Sequence, residues 1–204
     1  AYEVSALESV ETTTGTATTT SDSATLEVRA YAVDDEPPMF VSIGSGEASD
    51  SIPLTPGDHV IEVRVTAEDE TTMQPYTVEV HVVSEIAALS SVALFGVTFS
   101  EDFDPEAIAY MAEVAPEVAE TTLTAVASYP LSTLEYRTYE ANDVAPEFSA
   151  LAEEGADITL VMGDTVVEVR VTSEDGATQR IYTFLIHRIS NEVRLSSIDL
   201  DGAI

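Results

Sequence analysis

Cysteine is absent from this chain of 204 residues. The protein therefore has no disulfide, no thiolate ligand for a metal and no cysteine nucleophile, and its stability must come from packing. Lysine is absent as well, so the seven basic residues are all arginine, against 38 acidic residues and a net charge of -31. Such a charge repels the phosphates of nucleic acids and anionic membrane surfaces, which excludes DNA and RNA binding.

The acidic excess also bears on the setting in which the protein works. A surface of one sign stays soluble in high salt, where screening removes the self-repulsion that strains it in dilute buffer. We interpret the charge as adaptation to a saline or divalent-rich medium. Biased codon usage with ordinary acidic drift is the alternative interpretation.

Long apolar runs are missing too. No stretch of 18 or more apolar residues exists, so we expect no membrane insertion. The sequence shows no signal peptide and begins at Ala1 without a methionine, as a processed exported chain or a trimmed one would. We expect an extracellular or cell-surface location.

A tandem repeat dominates what is present. The heptapeptide at residues 60–66 recurs with one substitution at residues 166–172. The same spacing relates Gly57-Asp58 to Gly163-Asp164, Tyr76 to Tyr182, His81 to His187 and residues 89–91 to residues 195–197. A repeat of about 100 residues is too long for a solenoid unit and fits one β-domain.

Strand signals prevail in both repeats, and helical spacing of apolar residues is not sustained. We predict an all-β fold with two tandem Ig/cadherin-like sandwich domains: an incomplete one over residues 1–84, a complete one over 85–190, and a linker with a tail over 191–204. In the complete repeat we expect strands over residues 89–100, 108–115, 121–128, 134–139, 158–162, 165–173 and 180–188, with an acidic loop over residues 140–155.

Two loops of these repeats allow more specific predictions. Asp175-Gly176 predicts a tight hairpin turn with positive φ, and a version without glycine is expected at residues 67–71. The Thr-rich stretch at residues 11–22 has almost no apolar content, so we predict an inserted long hairpin or loop. Its hydroxyls are candidate glycan sites, with an unmodified polar loop as the simpler interpretation.

A family pattern runs through residues 89–188. An opening Leu-Ser-Ser-Val-Ala-Leu-Phe-Gly at residues 89–96 precedes Phe103-Asp104-Pro105, and the pattern closes with Gly163-Asp164, residues 167–178 and Tyr182. These motifs resemble bacterial cadherin-like β-sandwich repeats. The first repeat departs from the pattern because it lacks the opening strand. The resemblance implies structural modules of exported surface proteins and no reaction.

The sequence offers few candidates for a catalytic or metal-binding site. No Gly-x-Ser-x-Gly elbow or phosphate loop occurs, and nothing in the spacing of the carboxylates indicates an acid–base pair, so we predict no enzyme and no cofactor. His81 and His187 lie opposite the apolar face of their strands and should face solvent. Among the clustered acidic residues, Asp102 and Asp104 are the best candidates for weak calcium binding, whereas a solvated acidic face is the default interpretation.

The tail at residues 195–204 restarts the opening strand of the repeat. Alternation places Ile198, Leu200, Gly202 and Ile204 on one face, and Leu195 begins the motif. At the other end, Ala1-Tyr2 corresponds to Ala109-Tyr110, so Tyr2 and Val4 begin a domain that lacks this strand. The tail is therefore predicted to complete the first domain by donor-strand complementation.

The length of the linker indicates which domain the tail can reach. The linker at residues 191–194 spans about 14 Å when extended, whereas two domains in a row span about 70 Å, so donation to another copy is favoured. A head-to-tail contact that does not close generates a filament. The sequence thus predicts a self-assembling extracellular fibre, or alternatively a segment of a longer cell-surface adhesin or glycan-binding array whose partners are surface glycans or other cells.

Overall fold

The computed structural model describes residues 1–194 and residue 197. It contains strands and no helices there, which confirms the all-β prediction. The chain forms two compact units, the first comprising residues 1–86 with residues 173–178, and the second comprising the rest. The predicted polymerisation residues Leu195, Ile198, Leu200, Gly202 and Ile204 lie outside the described part.

The first unit is built on a five-stranded sheet. Its seven strands are β1 (Tyr2–Leu7), β2 (Thr12–Thr13), β3 (Thr25–Ala32), β4 (Val41–Ile43), β5 (Ile52–Pro53), β6 (Gly57–Thr66) and β7 (Met73–Val83). The sheet has the order β1-β7-β6-β3-β4, and β2 pairs with β5 in a second layer. Within the sheet β1 runs parallel to β7, with Tyr2 opposite Val78.

The second unit repeats this plan with a larger second layer. Its strands are β8 (Leu89–Leu94), β9 (Ala109–Val114), β10 (Glu120–Ala127), β11 (Thr133–Glu140), β12 (Ser149–Ala150), β13 (Ala156–Thr159), β14 (Gly163–Thr172) and β15 (Gln179–Arg188). One sheet has the order β12-β11-β14-β15-β9, and the other has the order β13-β10-β8. The strand β9 runs parallel to β15, with Tyr110 opposite Phe184.

Alternation along the central strands explains the position of each core. In β14 and β15 the inward side chains, among them Val167, Val169, Tyr182, Phe184 and Ile186, are fully buried. Each of these residues lies two positions from the next on its strand, so they share one face. In the first unit the core is smaller and consists of Val28, Ile52, Leu54, Ile61, Val80 and Val82.

The predicted opening strand is shorter than residues 89–100, because β8 ends at Leu94. Gly96 follows with a φ of 75°, a conformation that glycine adopts without strain, and Val97 N donates to Leu94 O. Apolar residues continue beyond this turn, which is why periodicity alone extends the strand too far.

The Thr-rich stretch at residues 11–22 is not an inserted hairpin or loop, as the sequence suggested. Thr12 and Thr13 form β2, and Gly15 continues the layer by exchanging hydrogen bonds with Ser49. Thr13 pairs with Ile52 as Thr121 of β10 pairs with Ile158, so the stretch is the counterpart of β10. Its side chains alternate between half-buried and exposed without an apolar signal, because the inward positions after Thr13 hold glycine, alanine and threonine.

Both predicted hairpin turns form. Gly176 has a φ of 73°, and in the first unit the equivalent residue is Glu70 with a φ of 59°. Asp69 stabilises that turn, since its carboxylate accepts hydrogen bonds from Thr71 N at 3.0 Å, Thr72 N at 2.8 Å and Thr72 Oγ1 at 2.7 Å. The backbone N–H of Thr72, with the other two donors, lowers the pKa of Asp69 to about 2.

This lowered pKa predicts an acid dependence of the turn. The stabilisation by Asp69 is complete above its ordinary pKa of 3.8 and is lost as the pH falls through about 2. We therefore expect Asp69→Ala to lower the unfolding temperature near neutral pH and to change it little below pH 2. Thermal scans of both proteins across this range measure the difference, and a difference that does not shrink in acid would contradict the prediction.

Candidate functional site

The strand β8 closes the second unit by pairing with β10. The pairing is antiparallel, with Leu94 opposite Leu123, Ala93 opposite Thr124 and Val92 opposite Ala125. Leu89 and Leu94 are buried, and Val92 is half-buried against the same core. This strand therefore supplies both an edge partner for β10 and part of the apolar core.

Tyr182 connects β8 to the opposite sheet. Its side chain is fully buried, and its hydroxyl donates to Pro105 O at 2.7 Å while accepting from Leu89 N at 3.2 Å. The start of β8 is thus positioned by a buried hydrogen bond as well as by packing.

In the first unit, the counterpart of β10 has a partner on one side only. The backbones of Gly15 and Ala17 bond toward residues 46–49, on the side of β5. The intervening residues Thr14, Thr16 and Thr18 direct their backbone groups the other way, where no strand pairs with them among the residues that the structure describes. This edge is the position that β8 occupies in the second unit.

Two adjoining cavities lie beside this bare edge. One has a volume of about 330 Å³ and the other about 280 Å³, and both are lined by Ala17 and Val63. Together they form what we call the open groove, whose walls are given by Val4, Ala6, Val10, Thr13–Thr20, Leu26, Val28, Ile43, Leu54, Ile61, Val63, Val65, Tyr76, Val78 and Val80. The groove is therefore apolar apart from its threonine rim.

Equivalent tyrosines of the two units differ in how much of their surface is covered. Tyr182 is 0% exposed, but Tyr76, at the same place in the first repeat, is 49% exposed. Likewise Tyr110 is 5% exposed and its counterpart Tyr2 is 66% exposed, beside Val4 at 49%. The predicted domain-start residues Tyr2 and Val4 thus lie on β1 with much of their apolar surface exposed, and Val4 lines the groove.

His81 and His187 lie on the face opposite the apolar side chains, as predicted, and each has an acidic partner that the sequence analysis missed. His81 Nδ1 lies 2.6 Å from Asp58 Oδ1, and His187 Nδ1 lies 2.6 Å from Asp164 Oδ1. His81 Nε2 also lies 2.7 Å from Glu174 of the turn segment that belongs to the first unit. The Asp58 carboxylate, followed by that of Glu174, raises the pKa of His81.

The acidic candidates for calcium do not come together with further ligands. Asp104 Oδ1 accepts from Glu106 N at 3.0 Å, and Asp104 O accepts from the Tyr110 hydroxyl at 2.6 Å. Across residues 1–194, no group of three His, Asp or Glu side chains has an arrangement that could hold a metal ion. Asp102 and Asp104 therefore stay a sequence prediction.

The sequence analysis also missed a repeated stack of arginine and phenylalanine. Phe40 lies between the guanidinium groups of Arg29 and Arg64, at 4.3 and 4.2 Å from the ring centre. In the second unit, Phe148 has the same position between Arg137 and Arg170, at 4.3 and 4.2 Å. Each arginine also pairs with a glutamate on the neighbouring strand, which makes these residues structural.

No helix within the described residues has the length and hydropathy to cross a membrane. A family model described as cadherin-like beta sandwich domain matches residues 1–83 and residues 88–189. No curated protein matches the sequence.

Several solved structures resemble the chain at low sequence identity. The fibronectin(III)-like modules of Clostridium thermocellum CbhA are 15% identical, with 97% of this chain and 95% of that chain covered and a TM-score of 0.28. Extracellular domains 3–5 of Drosophila OTK are 12% identical, with 92% and 62% covered and a TM-score of 0.43. Domains EC1-4 of Drosophila N-cadherin are 12% identical, with 93% and 48% covered and a TM-score of 0.38, so this chain spans about half of that fragment.

Proposed function

This chain belongs to the cadherin-like beta sandwich domain family, and we propose that it is a structural subunit of an extracellular filament that polymerises by donor-strand complementation. In this function residues 195–204 of one copy complete the first unit of the next copy. The proposal assigns the chain no catalytic role, no cofactor and no partner other than itself.

A single observation carries the proposal: the open groove lies where β8 binds in the second unit, and the tail repeats the sequence of β8. Leu-Ser-Ser begins both segments, and the sixth residue is leucine in both, Leu94 and Leu200. An unpaired edge is a template for a compatible strand. The tail is compatible because β8 already occupies the equivalent edge in the second unit.

The apolar contacts favour assembly. Leu195, Ile198 and Leu200 are equivalent to three β8 residues that pack against the core of the second unit. Burying three aliphatic side chains at about 2 kcal/mol each contributes about 6 kcal/mol before backbone pairing is counted. The loss of translational freedom on association opposes this gain in free energy. The backbone hydrogen bonds of the new strand add to the gain.

The assembly is expected to be open rather than closed. One copy offers one groove and one tail, and these are different surfaces, so the contact is heterologous. A heterologous contact that does not close into a ring repeats indefinitely and gives a filament.

The test examines the purified chain by negative-stain microscopy and analytical ultracentrifugation, with and without excess synthetic peptide of residues 195–204. We expect filaments whose length falls when the peptide occupies the grooves. A chain that stays monomeric at high concentration would refute the proposal. A native mass far above 21.8 kDa would favour the alternative, in which the tail opens a third domain of a surface repeat array.

A further inference from the structure

We propose, on the basis of the filament function above, that residues 195–200 of one copy bind the open groove of another antiparallel to residues 15–19, in the register of β8 with β10. In this register Leu200 lies opposite Gly15, Ile198 opposite Ala17 and Leu195 opposite Thr19.

One end of the register is fixed by a backbone hydrogen bond. In the second unit Phe95 N, just after β8, donates to Thr122 O at 3.0 Å. The equivalent residues are Asp201 of the tail and Thr14 of the groove, whose carbonyl points to the bare edge. Asp201 N therefore donates to Thr14 O.

The other end is fixed in the same way. Ser128 N donates to Ala88 O at 2.8 Å, just before β8 begins. The equivalent pair is Thr20 N with Arg194 O, directly before the tail. Two bonds that bracket a six-residue strand leave no room for a slip, and a slip by one residue would turn the leucines to solvent.

The groove has space for the side chains that this register directs inward. Leu123, the residue opposite Leu94, is buried in the second unit, whereas its counterpart is Gly15. A Cβ atom built on Gly15 would find its nearest neighbour, Ser49 Oγ, at 4.0 Å. The space beside Gly15 therefore accepts Leu200, and the adjoining cavity beside Tyr76 accepts Leu195.

Tyr76 supplies a polar anchor for the start of the tail. Its counterpart Tyr182 accepts a hydrogen bond from Leu89 N at 3.2 Å. The hydroxyl of Tyr76 is without a hydrogen-bond partner among residues 1–194, and the side chain is half exposed. In the proposed register Leu195 N donates to this hydroxyl.

The outward positions give a direct test, because the chain has no cysteine of its own. Thr16 and Asp199 are equivalent to Thr124 and Ala93, which lie opposite each other and are exposed. Thr16→Cys with Asp199→Cys should therefore form a disulfide between copies under mild oxidation. The matched control, Thr18→Cys with Asp199→Cys, moves the acceptor by two residues, where the diagonal separation of about 7–8 Å is too long for a disulfide.

The expected result is a ladder of covalent oligomers on a non-reducing gel for the first pair and no ladder for the control pair. Any of three results would overturn the register: a ladder from the control pair, a cross-link confined to monomers, or filaments that neither pair cross-links. Filaments from the unmodified chain would still uphold the proposed function in those cases. Absence of filaments from the unmodified chain would overturn both.

A second variant tests the anchor without new cysteines. Tyr76→Phe should leave the fold of the monomer unchanged, because the hydroxyl has no hydrogen-bond partner within residues 1–194. Loss of one hydrogen bond of about 1 kcal/mol should raise the critical concentration for assembly several-fold to about tenfold. An unchanged critical concentration would overturn the assignment of Tyr76.

Discussion

Replacing Phe184 by alanine is expected to destabilise the second unit by about 3–5 kcal/mol. Phe184 is 0% exposed, and its ring centre lies 5.3 Å from those of Phe99 and Tyr110, with the Tyr110 ring nearly parallel. Its removal leaves a cavity in a closed core that two sheets hold in place. Urea unfolding, followed by the amide resonances of β15, measures the loss.

The matched control is Val78→Ala in the first unit. Val78 stands at the place of Phe184, but it is only half-buried and borders the open groove. With the tail removed from both variants, Val78→Ala is expected to cost about 1 kcal/mol or less. Equal losses of unfolding free energy at both sites would mean that the core of the first unit is as well covered as that of the second.

Deleting residues 195–204 is expected to abolish filaments and leave monomers whose first unit is less stable than the second. The point variant Leu200→Asp tests the same prediction without shortening the chain. Leu200→Asp loses about 2 kcal/mol of apolar burial and places a carboxylate in the groove, for a total of at least about 4 kcal/mol. The critical concentration measured by sedimentation should rise about a thousandfold.

The control for that variant is Asp199→Asn on the opposite side of the same strand. The equivalent residue Ala93 is exposed, so the outward side chain should contribute little to the contact. Filaments that form equally well from Leu200→Asp and from Asp199→Asn would rule out the tail as the joining strand.

Much of the fold could be predicted from the sequence because the repeat supplies its own template. Alternating apolar residues in β14 and β15, together with Asp175-Gly176, indicate a buried hairpin, and the structure has it. Residues 11–22 were misjudged because the inward positions hold Gly15 and Ala17, so no apolar alternation was visible. The alternation of half-buried and exposed residues appears only once Ser49 and β5 are in place.

The candidate site could not be predicted from any local sequence pattern. Tyr76 and Tyr182 have similar neighbours in sequence, yet one is half exposed and the other is buried. The difference arises from β8, a strand far away along the chain. Comparison of the two repeats in sequence located the missing strand. The cavities, the threonine edge and the Tyr76 hydroxyl, which have no strand or hydrogen-bond partner in the described part of the chain, required coordinates.

The arginine and phenylalanine stacks have a consequence for the rate of assembly. Four of the seven arginines are paired with glutamates in these stacks, so few positive charges remain to offset the carboxylates of a neighbouring copy. Two copies that approach each other therefore meet like charge over a range of about 30 Å in 0.01 M salt and about 3 Å in 1 M salt. In the proposed filament, salt thus sets how often copies meet, while the apolar groove sets how long they stay joined.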